Sequence, residues 1–158
     1  IGIVNTNSNG GAMRLTSFTD FGLRALMRLA SAPDQAFSTA ELADEFSLSR
    51  NHLTKIMATL AGAGIVTTRR GGGGGAMLAR PADHIRLGEV VRLLEAGQPL
   101  VECFAKSGGS CTISGCCRLK ARLRFAEAAF LADLDRTTLS EVALPPKVAA
   151  APKWMMPA

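Results

Sequence analysis

The stretch from Ser38 to Arg80 constrains the fold more than any other part of the chain. It opens on "STAE", Ser38 to Glu41, where a serine and a glutamate three residues later can satisfy each other's backbone N–H groups as a capping box. The short helix that follows turns Leu42 and Phe46 inward. "SLS" then makes a turn, and Ser49 caps a further helix whose apolar residues Leu53, Ile56, Met57 and Leu60 recur at i, i+3, i+4 and i+7. "GAG" at Gly62 to Gly64 closes that helix, because glycine accepts the left-handed backbone at a helix end. "IVTTRR" and "AMLAR" read as two strands joined by five glycines, Gly71 to Gly75. Two short helices with a tight turn between them, followed by a glycine-tipped hairpin, describe a winged helix-turn-helix.

The flanks add helices. Thr16 or Ser17 caps one carrying Phe18, Phe21, Leu26 and Leu29, with Arg24 and Arg28 among its polar positions. "IRLGEVVRLLEAG" sets Leu87, Val90, Val91 and Leu94 on one side of another. The cysteine-bearing segment after it contains Gly108, Gly109 and Gly115 and reads as loop. "RLKARLRFAEAAFLADLD" is a long helix on which Leu119, Leu123, Ala126, Phe130 and Leu134 form a stripe that needs a partner. A small winged domain offers it little to lie on, so this helix is expected to dimerise, and "TTLSEV" adds a last helical turn. Aromatic residues are only 5% of a composition that is 47% apolar, so Leu, Ala, Val and Ile must build the core, which favours a mainly α fold. The expected organisation is a disordered leader over 1–12, a winged domain over 13–80, a connecting helix and cysteine loop over 81–117, a dimerisation helix over 118–144 and a flexible tail over 145–158.

A net charge of +5 suits a phosphate-rich partner. In a helix-turn-helix the first turns of the second helix enter the major groove. Here they present Arg50, Asn51, His52 and Lys55 opposite the apolar stripe. Arginine matches guanine edges, asparagine matches adenine, and lysine meets phosphate. Arg69 and Arg70 at the base of the wing can reach the flanking backbone or minor groove of duplex DNA. No apolar run approaches the ~20 residues of a membrane span, and no signal peptide is evident. The expected compartment is therefore the cytoplasm, where thiols stay reduced and a structural disulfide is disfavoured. An enzyme or electron carrier is the rival class. The chain offers no nucleotide fingerprint and no Ser-His-Asp set, and its two histidines, His52 and His84, stand far from the cysteines.

All four cysteines, Cys103, Cys111, Cys116 and Cys117, fall in "VECFAKSGGSCTISGCCRLK". Zinc sites usually use pairs two to four residues apart, and only Cys111 with Cys116 approaches that. Adjacent cysteines project differently and seldom hold one ion, so three thiolates and a spare is the more natural count. Soft thiolates on a glycine-rich loop suit an iron–sulfur cluster. Zinc, and thiols without a metal, stay open on spacing alone.

Five segments in order, "MRLTSFTDFGLRALMRLA", "SRNHLTKI", "GIVTTRRGGGGGAMLARP", "IRLGEVVRLLE" and "CTISGCCRLK", resemble the NsrR-type nitric-oxide-sensing repressors of the Rrf2 family, from Met13 to about Val142. The resemblance implies a homodimeric winged-helix repressor on a palindromic operator, carrying a [4Fe–4S] or [2Fe–2S] cluster and releasing DNA when nitric oxide reacts with it. It places the cluster ligands at Cys103, Cys111 and Cys117, and a fourth at Asp20 of the partner subunit. Cys116 departs from the pattern, standing where relatives carry a small residue. Lys120 replaces the histidine of the iron–sulfur biogenesis regulators of the same family. An iron-responsive or redox-responsive regulator of that family is the alternative.

Overall fold

The structure is a computed structural model that describes residues 15–69, 74–105, 111–113 and 116–145. Arg70, Gly71 to Gly73, the loop glycines 108, 109 and 115, and the two ends read as leader and tail lie outside the described residues. In chain order the described elements are α1 (Ser17–Ala30), α2 (Thr39–Phe46), α3 (Arg50–Gly62), β1 (Val66–Arg69), β2 (Gly75–Leu78), α4 (Leu87–Leu94) and α5 (Arg118–Leu134). Single 3-10 turns lie at Ala82–His84, Glu102–Phe104 and Ser140–Val142. The expected mainly helical architecture with one antiparallel hairpin is what the chain adopts.

Local chemistry sets these boundaries. Thr16 caps α1 by accepting from the Thr19 amide at 3.3 Å. The capping box of α2 is complete, with Ser38 Oγ accepting from the Glu41 amide at 3.1 Å and Glu41 accepting from the Ser38 amide at 2.7 Å. Those bonds, the one from the Ser38 backbone first, hold the Glu41 carboxyl below its ordinary pKa. Ser47 makes the turn into α3 in the left-handed region, at φ 55°. Ser49 occupies the expected N-cap of α3, but its side chain makes no capping bond. The start of α3 rests instead on the backbone bond from Leu53 to Ser49 and on burial of Leu53.

Leu26, Leu42, Leu53, Ile56, Leu60, Ile65, Ile85, Val90 and Leu139 are fully buried in one core. Gly22 lets α1 approach its neighbours, since a methyl group there would lie 2.5 Å from Leu94 Cδ1 and 3.2 Å from Ile56 Cγ2. The hairpin pairs Val66 with Leu78 and Arg69 with Gly75. Phe37 extends it by bridging Ala76, with mutual N–H···O bonds of 3.0 and 2.8 Å. Gly75 is required there, because a Cβ would stand 2.5 Å from the Phe37 carbonyl carbon.

After α5 the chain returns to this core. The Leu139 amide donates to Ile85 O at 2.8 Å, Leu87 N to Thr137 O at 3.1 Å, and Leu144 N to Met27 O at 3.1 Å. Arg92 holds Asp135 at 2.6 Å. Glu141 accepts from both the amide and the hydroxyl of Thr138, and its pKa is lowered, chiefly by that backbone bond. The carboxyl end of α5 is thus tied to the head, whereas none of its 17 residues is buried. Among the described residues no helix is long and apolar enough to cross a membrane.

Candidate functional site

Two groups of predicted site residues occupy different parts of the structure. On α3, Arg50, Asn51 and Lys55 are exposed on one face, away from the buried Leu53, Ile56 and Leu60. Arg50 Nη2 contacts both carboxylate oxygens of Asp44 at 3.3 Å. His52 departs from expectation. Its ring is half-buried, 5.5 Å edge-on from Phe21 and 5.8 Å from Phe18. The reason is helical geometry: His52 stands one turn ahead of Ile56, at the border of the buried stripe, and α1 covers that border. Arg69 is exposed at the end of β1, and Arg70 lies outside the described residues.

Arg28 carries a role that the sequence pattern missed. Read as a polar surface position, it is 7% exposed. Its Nε donates to Glu45 Oε2 of α2 at 3.1 Å, its Nη1 donates to Ser31 Oγ at 2.7 Å, and its guanidinium lies 4.7 Å from the centroid of the Phe37 ring. One side chain therefore joins α1, α2 and the segment that bridges the wing. The only sequence signal is an arginine two residues beyond the apolar Leu26, with its acid 17 positions away.

The cysteines lie around the amino end of α5. Cys103 is half-buried in the turn Glu102–Phe104, Cys111 is half-buried, and Cys117 is the half-buried N-cap residue of α5. Cys116 is exposed, its thiol donating to Ile113 O at 3.6 Å. Phe104, next to Cys103, stacks under the Arg124 guanidinium at 5.2 Å, which ties the Cys103 turn to α5. All four thiols are free. Among the described residues no three His, Cys, Asp or Glu side chains stand close enough to hold a metal ion. The donor set itself fits soft iron, with three partly exposed thiols on one short segment. Asp20 is committed elsewhere: its two oxygens accept from Arg24 Nε at 3.1 Å and Nη2 at 2.7 Å, and Arg24 also lies 5.9 Å from the centroid of the Phe21 ring. The chain thus gathers the DNA-facing residues of α3, and leaves Asp20 and the three thiols apart.

Residues 15–144 match the Rrf2 family, described as iron-dependent transcriptional regulators. Of similar solved structures, CymR of Staphylococcus aureus is 27% identical, with 86% of this chain and 100% of that chain covered and a TM-score of 0.64. CymR of B. subtilis, a global cysteine regulator, is 24% identical over 84% of this chain and 97% of its own, with a TM-score of 0.66. IscR of T. potens is 24% identical over 90% of this chain and 97% of its own, also at 0.66. The last two likenesses speak for the winged fold. The family match runs through α3, the wing, the cysteine segment and α5 without a break. The chain therefore belongs to the Rrf2 family of DNA-binding transcriptional regulators and is not an enzyme.

Proposed function

We propose that the chain is a cytoplasmic, homodimeric repressor of the NsrR type. In this reading α3 reads a palindromic operator, and Cys103, Cys111 and Cys117 hold an iron–sulfur cluster through which nitric oxide is sensed. Asp20 of the partner subunit completes a [4Fe–4S] site, and a [2Fe–2S] site is the variant. The observation that carries the reading is Cys117. It caps α5, the one long helix without a buried residue, whose other end is fastened to the reading head through Leu139.

When bound, such a cluster supplies thiolate-held iron that nitric oxide can attack. The chain's own part is positional. Cys117 and the Cys103 turn, stacked through Phe104 on Arg124, tie the sensing loop to α5. The bonds from Thr137 and Leu139 to Leu87 and Ile85 pass any shift of that helix to the head. On the DNA side, Asn51 and Lys55 are free to meet bases and phosphate. Arg50 must leave Asp44, an exposed pair worth about 1 kcal/mol or less, for a guanine contact worth about 1–3 kcal/mol, so the exchange favours DNA. The Asp20–Arg24 pair, half exposed, is likewise cheap to open.

The test is operator binding by protein purified without oxygen, before and after stoichiometric nitric oxide, with Cys111→Ser alongside. The reading expects a visible iron–sulfur absorbance that the gas reshapes, salt-dependent duplex binding that the gas abolishes, and neither colour nor response in the variant. A variant that binds and still releases on nitric oxide removes the loop from sensing. The family's iron-dependent description favours iron level as a second reading of the signal. Release by an iron chelator without any response to nitric oxide selects it.

A further inference from the structure

We infer that α5 pairs antiparallel with α5 of a second copy, in one register fixed by its own stripe and charges. The inference deepens the homodimer reading and rests on it. It needs neither DNA nor a metal.

Three observations carry it. First, Leu123, Ala126 and Phe130 form one wall of a half-open cleft of about 710 Å³, with Leu15, Val91 and Leu100 on the opposite wall. An apolar cleft of this kind marks an interaction surface. Second, the two halves of α5 differ in charge. Arg118, Lys120, Arg122 and Arg124 crowd the amino half, and among the described residues none of them has a carboxylate partner. Glu127 and Asp133 lie toward the other end, with Asp135 just beyond it. Parallel pairing would set cations against cations, whereas antiparallel pairing sets each cationic half against an acidic one. Third, the stripe is self-complementary, as a two-fold axis demands. With Ala126 at the axis, Leu123 of one copy faces Phe130 of the other, and Leu119 faces Leu134. On the flank of the stripe, Arg122 then faces Asp133, twice per dimer. Asp133 is held by Arg136 three residues on, and both are largely exposed, so it can exchange partners at little cost. In this register Cys117 lies beside the other copy's Arg136, so whatever the cysteine loop binds sits at the subunit boundary.

The experiment is sedimentation of the full chain at low salt, using Arg122→Glu, Asp133→Lys and their equimolar mixture. Each variant alone faces two like-charge contacts and is expected to dimerise about tenfold more weakly than the parent. In the mixture every introduced charge meets its opposite, so the heterodimer is expected to recover parental affinity. Phe125→Glu, on the opposite face of α5, is expected to leave dimerisation unchanged, and helix content by circular dichroism checks that each variant folds. A mixture no tighter than its components overturns the register. Dissociation by Phe125→Glu with Arg122→Glu inert overturns the choice of face, and in both cases a dimeric parent leaves the homodimer reading standing. A parent that stays monomeric at every concentration removes that reading along with the pairing.

Discussion

Helices α3 and α5 show what a helix looks like when its own chain completes it and when it does not. Of 13 residues in α3, Leu53, Ile56, Met57 and Leu60 are buried, and α1, α2 and the hairpin surround them. Of 17 in α5, none is buried, and Leu119 and Phe125 are 63% and 72% exposed. Apolar content does not separate them. The difference lies in its distribution: α3 confines apolar residues to the side its neighbours cover, whereas α5 carries its leucine stripe on one side and Ala121, Phe125, Ala128 and Ala132 on the other. A helix with apolar residues on opposite sides is suited to neighbours on both. The head is therefore built by contacts within one chain, and α5 is written for contacts beyond it.

Substitutions can break that contrast. The largest effect is expected for Ile56→Ala, which opens a cavity among α1, α3 and α4 and lowers unfolding free energy by about 3 kcal/mol. Phe125→Ala, removing a far larger but exposed side chain, is expected to stay within about 0.5 kcal/mol. Guanidinium unfolding of both variants decides it, and an equal loss for Phe125→Ala would mean that the outer face of α5 is covered.

A smaller effect sharpens the reading of α3 itself. His52→Ala loses ring contacts with Phe18 and Phe21 and is expected to cost about 1 kcal/mol of stability. Its neighbour Asn51, exposed, is expected to leave stability unchanged when truncated to alanine, and to cost about 1–3 kcal/mol in operator binding. Thermal melts and a binding titration on the same two proteins separate the roles. If His52→Ala melts like the parent, the packing on α1 is idle.

The smallest expected effect is in acid. Glu41 in the head and Glu141 in the return segment both have native pKa values below the ordinary 4.5, through bonds from Ser38 and Thr138. A lowered native pKa means that the unfolded chain binds the proton more readily. The two contributions are therefore complete above about pH 4.5, and they fade as pH falls through the lowered values. Urea midpoints measured down the acid range should fall less steeply for Glu141→Gln than for the parent. Identical slopes would show that the Thr138 bonds do not hold the return segment in place.

Much of the head was legible because its signals are local. A capping box lies within four residues, the α3 stripe repeats each turn, and the hairpin carries its own glycine tip. What was not legible depends on contacts distant in sequence. Nothing near Leu139 marks it as a core residue, because its neighbours Ile85 and Leu87 lie some fifty positions earlier. Arg28 looked like surface because a charge normally is, and Glu45 and Phe37 change that only once α2 and the wing are in place. His52 was misplaced by less than one helical step, since the edge of an apolar stripe depends on how far the covering helix reaches. The α3 face was readable from composition and position together. The cysteines were readable as a cluster of thiols, and the family match gives that cluster its regulatory setting.

The return of the chain at Leu139 has a mechanical consequence. Helix α5 is about 25 Å long, 17 residues at about 1.5 Å each, and is pinned only at its carboxyl end. It is a stiff lever with its fulcrum at the start of α4. A displacement of about 2 Å at Cys117 is a tilt of about 5° at that fulcrum, by the same length arithmetic. The fulcrum is where Ile85 and Leu87 are bonded, and α4 runs from there to Leu94, which meets Ile56 of α3 across Gly22. Gearing of this kind reduces movement and multiplies force, so a small rearrangement among the thiols can press on a close-packed head that a loose loop alone could not deform.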